Sequence, residues 1–162
     1  QNLHAEMMLR EVALKRRGDG SVENGQKELR AMLDELHVAR EGYHFEDGSG
    51  LSRLTLVSAE TLTSLLAAVH ASPQRDAFWS LLPVAGEDGT LAARFRGAAQ
   101  ASAIRAKTGS LSHVHALSGY AGLDPERRLA FSIIVNGASA PSSAIRPLID
   151  KIAVAVLEEA GR

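Results

Sequence analysis

The chain has 162 residues, 18 Lys+Arg against 19 Asp+Glu, a net charge of −1 and no cysteine. That length fits one domain able to bury about two-thirds of the surface its unfolded form exposes. The even charge balance, with no basic block longer than "KRR" at 15–17, excludes the electrostatic footprint of a nucleic-acid or anionic-membrane binder, and the lack of cysteine excludes disulfides, a thiol nucleophile and a zinc-thiolate site.

Leu3, Met7, Met8 and Val12 recur at helical spacing and predict an amphipathic helix over residues 2–17, ended by Gly18-Asp19-Gly20. Leu29, Met32, Leu33 and Leu36 predict a second over 24–36. "EDGSGLSR" at 46–53 is too rich in turn residues for helix or strand and reads as a loop. Ser58 is placed to cap a helix carrying Leu62, Leu65, Leu66 and Val69, and Ser72-Pro73 to start another, since proline at the first helical position forfeits no needed donor. The loop "LPVAGEDGT" at 82–90 closes the helical region.

From Ala103 the pattern becomes strand-like. "AIRAKTGSL", "HVHALSGYAG" and "RLAFSIIVNG" predict three strands in a meander, the last two joined by the turn-forming "LDPERR" at 123–128. "FSIIV" at 131–135 is apolar on both faces and predicts an inner strand. Ile145, Leu148, Ile149, Ile152 and Val156 form the stripe of a final helix, and Pro147, tolerable only in the first turn, sets its start near Ala144. Helices, then strands, then a helix make an α+β chain, with an antiparallel sheet of at least three strands packed with helices. A sheet with an inner strand wants cover on its edges. That need, and a helical pattern starting almost at Gln1, lead to the expectation that these residues are a piece of a longer chain.

Lys107-Thr108-Gly109-Ser110 runs against local propensity, because lysine is a poor core residue and glycine a poor strand former. On an edge strand beside a cleft each residue has a use. Glycine lets a ligand's backbone lie against the strand, the hydroxyls bind a carboxylate, and the ammonium supplies a fixed positive charge. The plain alternative is a surface lysine before a glycine bulge. A phosphate-binding loop is excluded, since Ala106 stands where that motif requires glycine.

In context the triplet gains specificity. "KTGSLSHVHALSGYAG" resembles the K-T-G motif of penicillin-binding proteins and class A β-lactamases together with the strand that follows it. The opening "QNLHAEMMLREV" resembles the end of an S-x-N motif and its helix, with Asn2 as the asparagine and the serine falling just before Gln1. "DGSGLSR" at 47–53, "LPVAGEDGTLAARF" at 82–95 and "FSIIVNG" at 131–137 resemble segments of the D-alanyl-D-alanine carboxypeptidase/endopeptidase family of the penicillin-binding protein 4 type, the S13 peptidases. The resemblance implies that residues 1–162 are the C-terminal part of a penicillin-binding, β-lactamase-like transpeptidase fold. It implies a serine enzyme acylated by the D-Ala-D-Ala end of peptidoglycan stem peptides or by β-lactams, working without a cofactor, outside the cytoplasm. Asn2 and Lys107 would be catalytic. Thr108, Gly109 and Ser110 would bind substrate, the Ser110 N–H forming half of an oxyanion hole. Ser49, Leu51 and Arg53 would line the stem-peptide side-chain pocket with Leu111, Arg53 suiting a free carboxylate such as that of diaminopimelate.

One departure matters. No S-x-x-K occurs in the chain, so the nucleophile and its lysine are expected upstream of Gln1 and the chain alone is expected to be inactive. A module that binds peptidoglycan peptide or a protein partner without cleaving it is the alternative. His113 and His115, at i and i+2 of the predicted strand, are the nearest approach to a metal site, but no zinc spacing accompanies them. "DGSG" lacks the ligand series of a calcium loop and reads as a tight turn.

Overall fold

The computed structural model describes residues 2–161 and divides into two compact units, one up to Leu65 and one from Leu66. Gln1, on which the expectation of a preceding serine turns, lies outside the described residues.

In the first unit α1 (Asn2–Arg17) packs on α2 (Val22–Glu35). Ser21 caps α2, its side chain accepting from the Asn24 N–H at 3.3 Å, so the helix begins two residues before the apolar pattern does. Glu28 of α2 is buried and paired with both Arg16 and Arg17 of α1, which satisfies a carboxylate that burial alone would penalise. The apolar stripe of α1 does not face this contact. Leu3, Met7 and Met8 are 71%, 59% and 68% exposed, and the buried residue of α1 is Ala13. A two-stranded antiparallel ladder, β1 (Tyr43–His44) with β2 (Leu56–Val57), closes the base of the 45–55 loop. Ser58 caps α3 (Ala59–His70) as expected, its hydroxyl accepting from the Thr61 N–H at 3.0 Å.

In the second unit Ser72-Pro73 does not begin a helix. Ser72 donates its hydroxyl to Val69 O and closes the turn after α3, so α4 starts later, as Arg75–Leu81. β3 (Ile104–Leu111), β4 (Val114–Ala121) and β5 (Leu129–Val135) form the antiparallel meander in sequence order, and α5 (Ser142–Ala160) packs on it. Ile104, Ala106, Leu117, Ala121 and Phe131 bury one face of the sheet against Ile149, Ala153 and Leu157. Each large side chain so buried contributes about 1.5–3 kcal/mol. The opposite face carries Tyr120, packed on Phe78, Trp79, Leu66 and Leu82, with its hydroxyl donating to Leu66 O at 2.7 Å.

Three expectations are corrected here. β4, not β5, is the inner strand, and Ser132 to Val135 are only half-buried because β5 has a partner on one side alone among the described residues. α5 begins at Ser142, so Pro147 lies inside the helix rather than in its first turn. The carbonyl deprived of a donor is that of Ser143, an exposed residue whose oxygen water can satisfy. The buried face of α5 is Ile149, Ala153, Leu157 and Ala160, while Leu148 and Ile152 are 56% and 51% exposed. No helix among the described residues is long and apolar enough to cross a membrane.

Candidate active site

β3 sets out the K-T-G residues by its two-residue repeat. Arg105 stacks on Trp79 on the Tyr120 face, so Lys107 and Gly109 share that face, while Thr108 and Ser110 continue the face of Ile104 and Ala106 toward α5. The ammonium and the two hydroxyls thus leave the strand on opposite sides. Lys107 bends toward the strand edge, where its Nζ donates to the main-chain O of Thr108 at 2.6 Å.

The edge itself is half covered. Residues 83–85 run antiparallel beside the start of β3: the Ala106 N–H donates to Pro83 O at 3.1 Å and the Ala85 N–H to Ile104 O at 3.0 Å. Even-numbered residues therefore direct their backbone groups away from β4. By the same repeat the N–H and C=O of Thr108 and of Ser110 point outward, onto a stretch that no described strand covers. Lys107, Gly109 and Ser110 are exposed; Thr108 and Leu111 are half-buried. On the α5 side an open groove of about 1000 Å³ is lined by Thr108, Gly109 and Ser110, with Arg96 and Arg146 also among its lining residues.

Sequence reasoning missed Thr90 at this place. It accepts a hydrogen bond from the Thr108 hydroxyl at 3.0 Å and lines the same groove. The local signal was the turn grammar of "LPVAGEDGT": Asp88 Oδ1 accepts from the Val84 N–H at 2.6 Å, and the Gly86 N–H donates to Leu91 O at 3.1 Å. With Leu91 fully buried, this loop is fixed in shape rather than slack.

The remaining candidates lie in the first unit. Asn2 is the first residue of α1 and is exposed. Ser49, Leu51 and Arg53 sit on the 45–55 loop, whose hub is Asp47. Its carboxylate accepts from Ser49 Oγ at 2.8 Å, Leu51 N at 2.7 Å, Ser52 N at 2.9 Å and Thr55 Oγ1 at 2.6 Å. Partial burial raises the Asp47 carboxyl pKa, but these donors outweigh it and hold it at about 2. A second carboxylate, Glu6 of α1, takes the Gly48 and Ser49 N–H groups at 3.1 and 2.9 Å. Gly48 sits close against α1, where a Cβ would stand 3.0 Å from Ala5 O, a tight contact that the neighbouring residues would have to yield to. The side chains of Leu51 and Arg53 are left exposed by this arrangement.

The histidine pair dissolves. His113 lies in the turn before β4 with φ +66° and its Nδ1 2.8 Å from Ala138 O, while His115 is buried on β4. Among the described residues no three His, Cys, Asp or Glu side chains are grouped to hold a metal ion.

The chain belongs to the D-Ala-D-Ala carboxypeptidase 3 (S13) family, whose model matches residues 1–156. It is 42% identical over 167 residues to a D-alanyl-D-alanine carboxypeptidase of Actinomadura sp. (strain R39), covering 99% of this chain and 30% of that protein. It is 33% identical over 162 residues to penicillin-sensitive carboxypeptidase A of Dictyostelium discoideum, covering 94% of this chain and 31% of the relative. Among solved structures, penicillin binding protein 4 from Haemophilus influenzae, complexed with a novel beta-lactam, superposes with a TM-score of 0.81 at 27% identity, over 98% of this chain and 38% of that one. The α+β fold is thus of the penicillin-binding protein 4 kind, and the chain spans about a third of the length of the relatives it matches.

Proposed function

We propose that this chain is the C-terminal part, residues 1–162, of a serine-type D-Ala-D-Ala carboxypeptidase/endopeptidase of the cell envelope, acting on peptidoglycan stem peptides and acylated by β-lactams. The nucleophile and its lysine come from sequence outside these residues, which hold no S-x-x-K. The observation that carries the reading is the open half of the β3 edge, where Thr108 and Ser110 direct main-chain groups outward beside their own hydroxyls.

In this reading the serine oxygen bonds to the carbonyl carbon of the penultimate D-alanine. The C–N bond to the terminal D-alanine then breaks, the serine proton passes to the leaving amine, and water later frees the acyl group. The Ser110 N–H receives the developing oxyanion, a single donor worth about 2.7–4 kcal/mol at such sites. Thr108 and Ser110 hold the terminal carboxylate, and Gly109 allows close approach. Lys107, released from Thr108 O, supplies positive charge and takes part in proton transfer, while Asn2 orients the peptide amide. Ser49, Leu51, Arg53 and Leu111 contact the stem-peptide side chain, Arg53 pairing with its free carboxylate.

The test uses a labelled penicillin and mass measurement of the intact protein. The longer polypeptide containing this chain gains one acyl group, and Lys107→Gln slows that step by about a hundredfold. The isolated 162-residue chain gains none. Stoichiometric labelling of the isolated chain overturns the placement of the nucleophile. Failure of the longer polypeptide to label overturns the function.

A further inference from the structure

Hydroxyl protons around β3 do not add up as a clamp made of Thr108 and Ser110 alone. A carboxylate accepts and cannot donate, so each hydroxyl facing it must bring a proton, and threonine has one. Thr108 gives its proton to Thr90 Oγ1 at 3.0 Å, which leaves it only lone pairs to turn toward an anion. Thr90 is in the opposite condition. Its oxygen already accepts, and among the described residues nothing accepts its own proton. Thr90 is exposed and lines the same groove as Thr108, Ser110, Arg96 and Arg146. A hydroxyl that accepts one hydrogen bond is polarised into a stronger donor for the next.

We propose that Thr90 is a further substrate-binding residue: it takes the Thr108 proton and donates its own to the terminal carboxylate of the ligand, extending the clamp to the loop at 83–91. This rests on the carboxypeptidase reading above. The loop is built to hold such a group in place. Val84, Ala85 and Gly86 all have their N–H groups engaged, by Asp88 Oδ1, Ile104 O and Leu91 O, and the loop is hydrogen-bonded to the strand that carries Thr108. Thr90 therefore meets the ligand with its position already fixed, and ordering it costs little on binding.

The test separates the carboxylate from the rest of the ligand. Acylation rate constants are measured for the longer polypeptide with a penicillin and with the methyl ester of the same penicillin. Thr90→Val and Thr90→Ala are expected to slow the free acid by about tenfold, the loss of one hydrogen bond to a charged group, and to leave the ester within about twofold of wild type. Thr90→Ser restores the free-acid rate, and Thr108→Val shows the same division between acid and ester. Melting temperatures of the Val, Ala and Ser variants confirm that the comparison is among folded proteins. Equal slowing of acid and ester, or no slowing by either variant, overturns the role of Thr90 while leaving the enzyme reading intact. A wild-type protein acylated by neither ligand overturns that reading, and this inference with it.

Discussion

Asp47 shows how much of a loop can hang on one side chain. Four donors converge on its carboxylate, from Ser49, Leu51, Ser52 and Thr55, so the loop that carries Leu51 and Arg53 is shaped by an acceptor. The folded pKa of about 2 lies below the ordinary 3.8, so the loop's stabilisation is fully present above about pH 3.8 and is lost as the pH falls toward 2. Asp47→Asn is expected to lower stability at neutral pH by about 1 kcal/mol, after screening at a partly exposed group, and to flatten the acid limb over that interval. Urea unfolding at a series of pH values measures both. The turn was legible in "EDGSGLSR" from its residue types. Glu6 was not, because its bonds to Gly48 and Ser49 span 42 and 43 residues and leave no local trace. Thr90 escaped although its loop carries turn grammar. Its partner is 18 residues away, and a loop read only as the end of a helical region gives no ground for pairing it with a strand.

At the level of elements, the centre of the sheet tolerates no added bulk. A Cβ on Gly119 of β4 would stand 2.1 Å from Arg105 O and 2.6 Å from Ala106 Cα, so β3 and β4 must part to admit it. Gly119→Ala is expected to cost about 3 kcal/mol or more, read as a lower urea midpoint with unchanged slope. The three strands of this sheet were legible to within two residues at each end, because alternation and the "LDPERR" turn are local signals, whereas β1 and β2, two residues each, are too short to leave such a pattern. Which strand is central was not. "FSIIV" has the composition of an inner strand, yet its neighbours in space are decided by pairing rather than by its own residues. The rotated stripe of α5 has a similar origin. Leu148 and Ile152 outweigh Ala153 on any hydropathy count, but the small alanine is what lets the helix lie close to the sheet.

For the whole chain, two properties act together. The net charge is −1, and α1 presents Leu3, Met7 and Met8 outward. Little charge repulsion and a contiguous apolar surface favour association. The isolated chain is expected to show concentration-dependent light scattering at neutral pH, and Met7→Glu with Met8→Glu, adding two negative charges on that surface, is expected to suppress it. Scattering unaffected by concentration would count against an uncovered α1. Fold class and family were legible at this scale because five separated segments agreed in order. The assignment of roles to Asn2, Ser49 and Arg53 rests on that agreement, since no short-range pattern marks them.

The short run at Pro83, Val84 and Ala85 has a bearing on what the site can read. By occupying the beginning of the β3 flank, it leaves Thr108 and Ser110 as the outward-facing ladder positions for an arriving extended chain. On the proposed carboxypeptidase reading, the protein's own backbone thereby acts as a ruler, granting main-chain pairing to a dipeptide's worth of ligand, so that a longer one would be distinguished by its side chains or its end group.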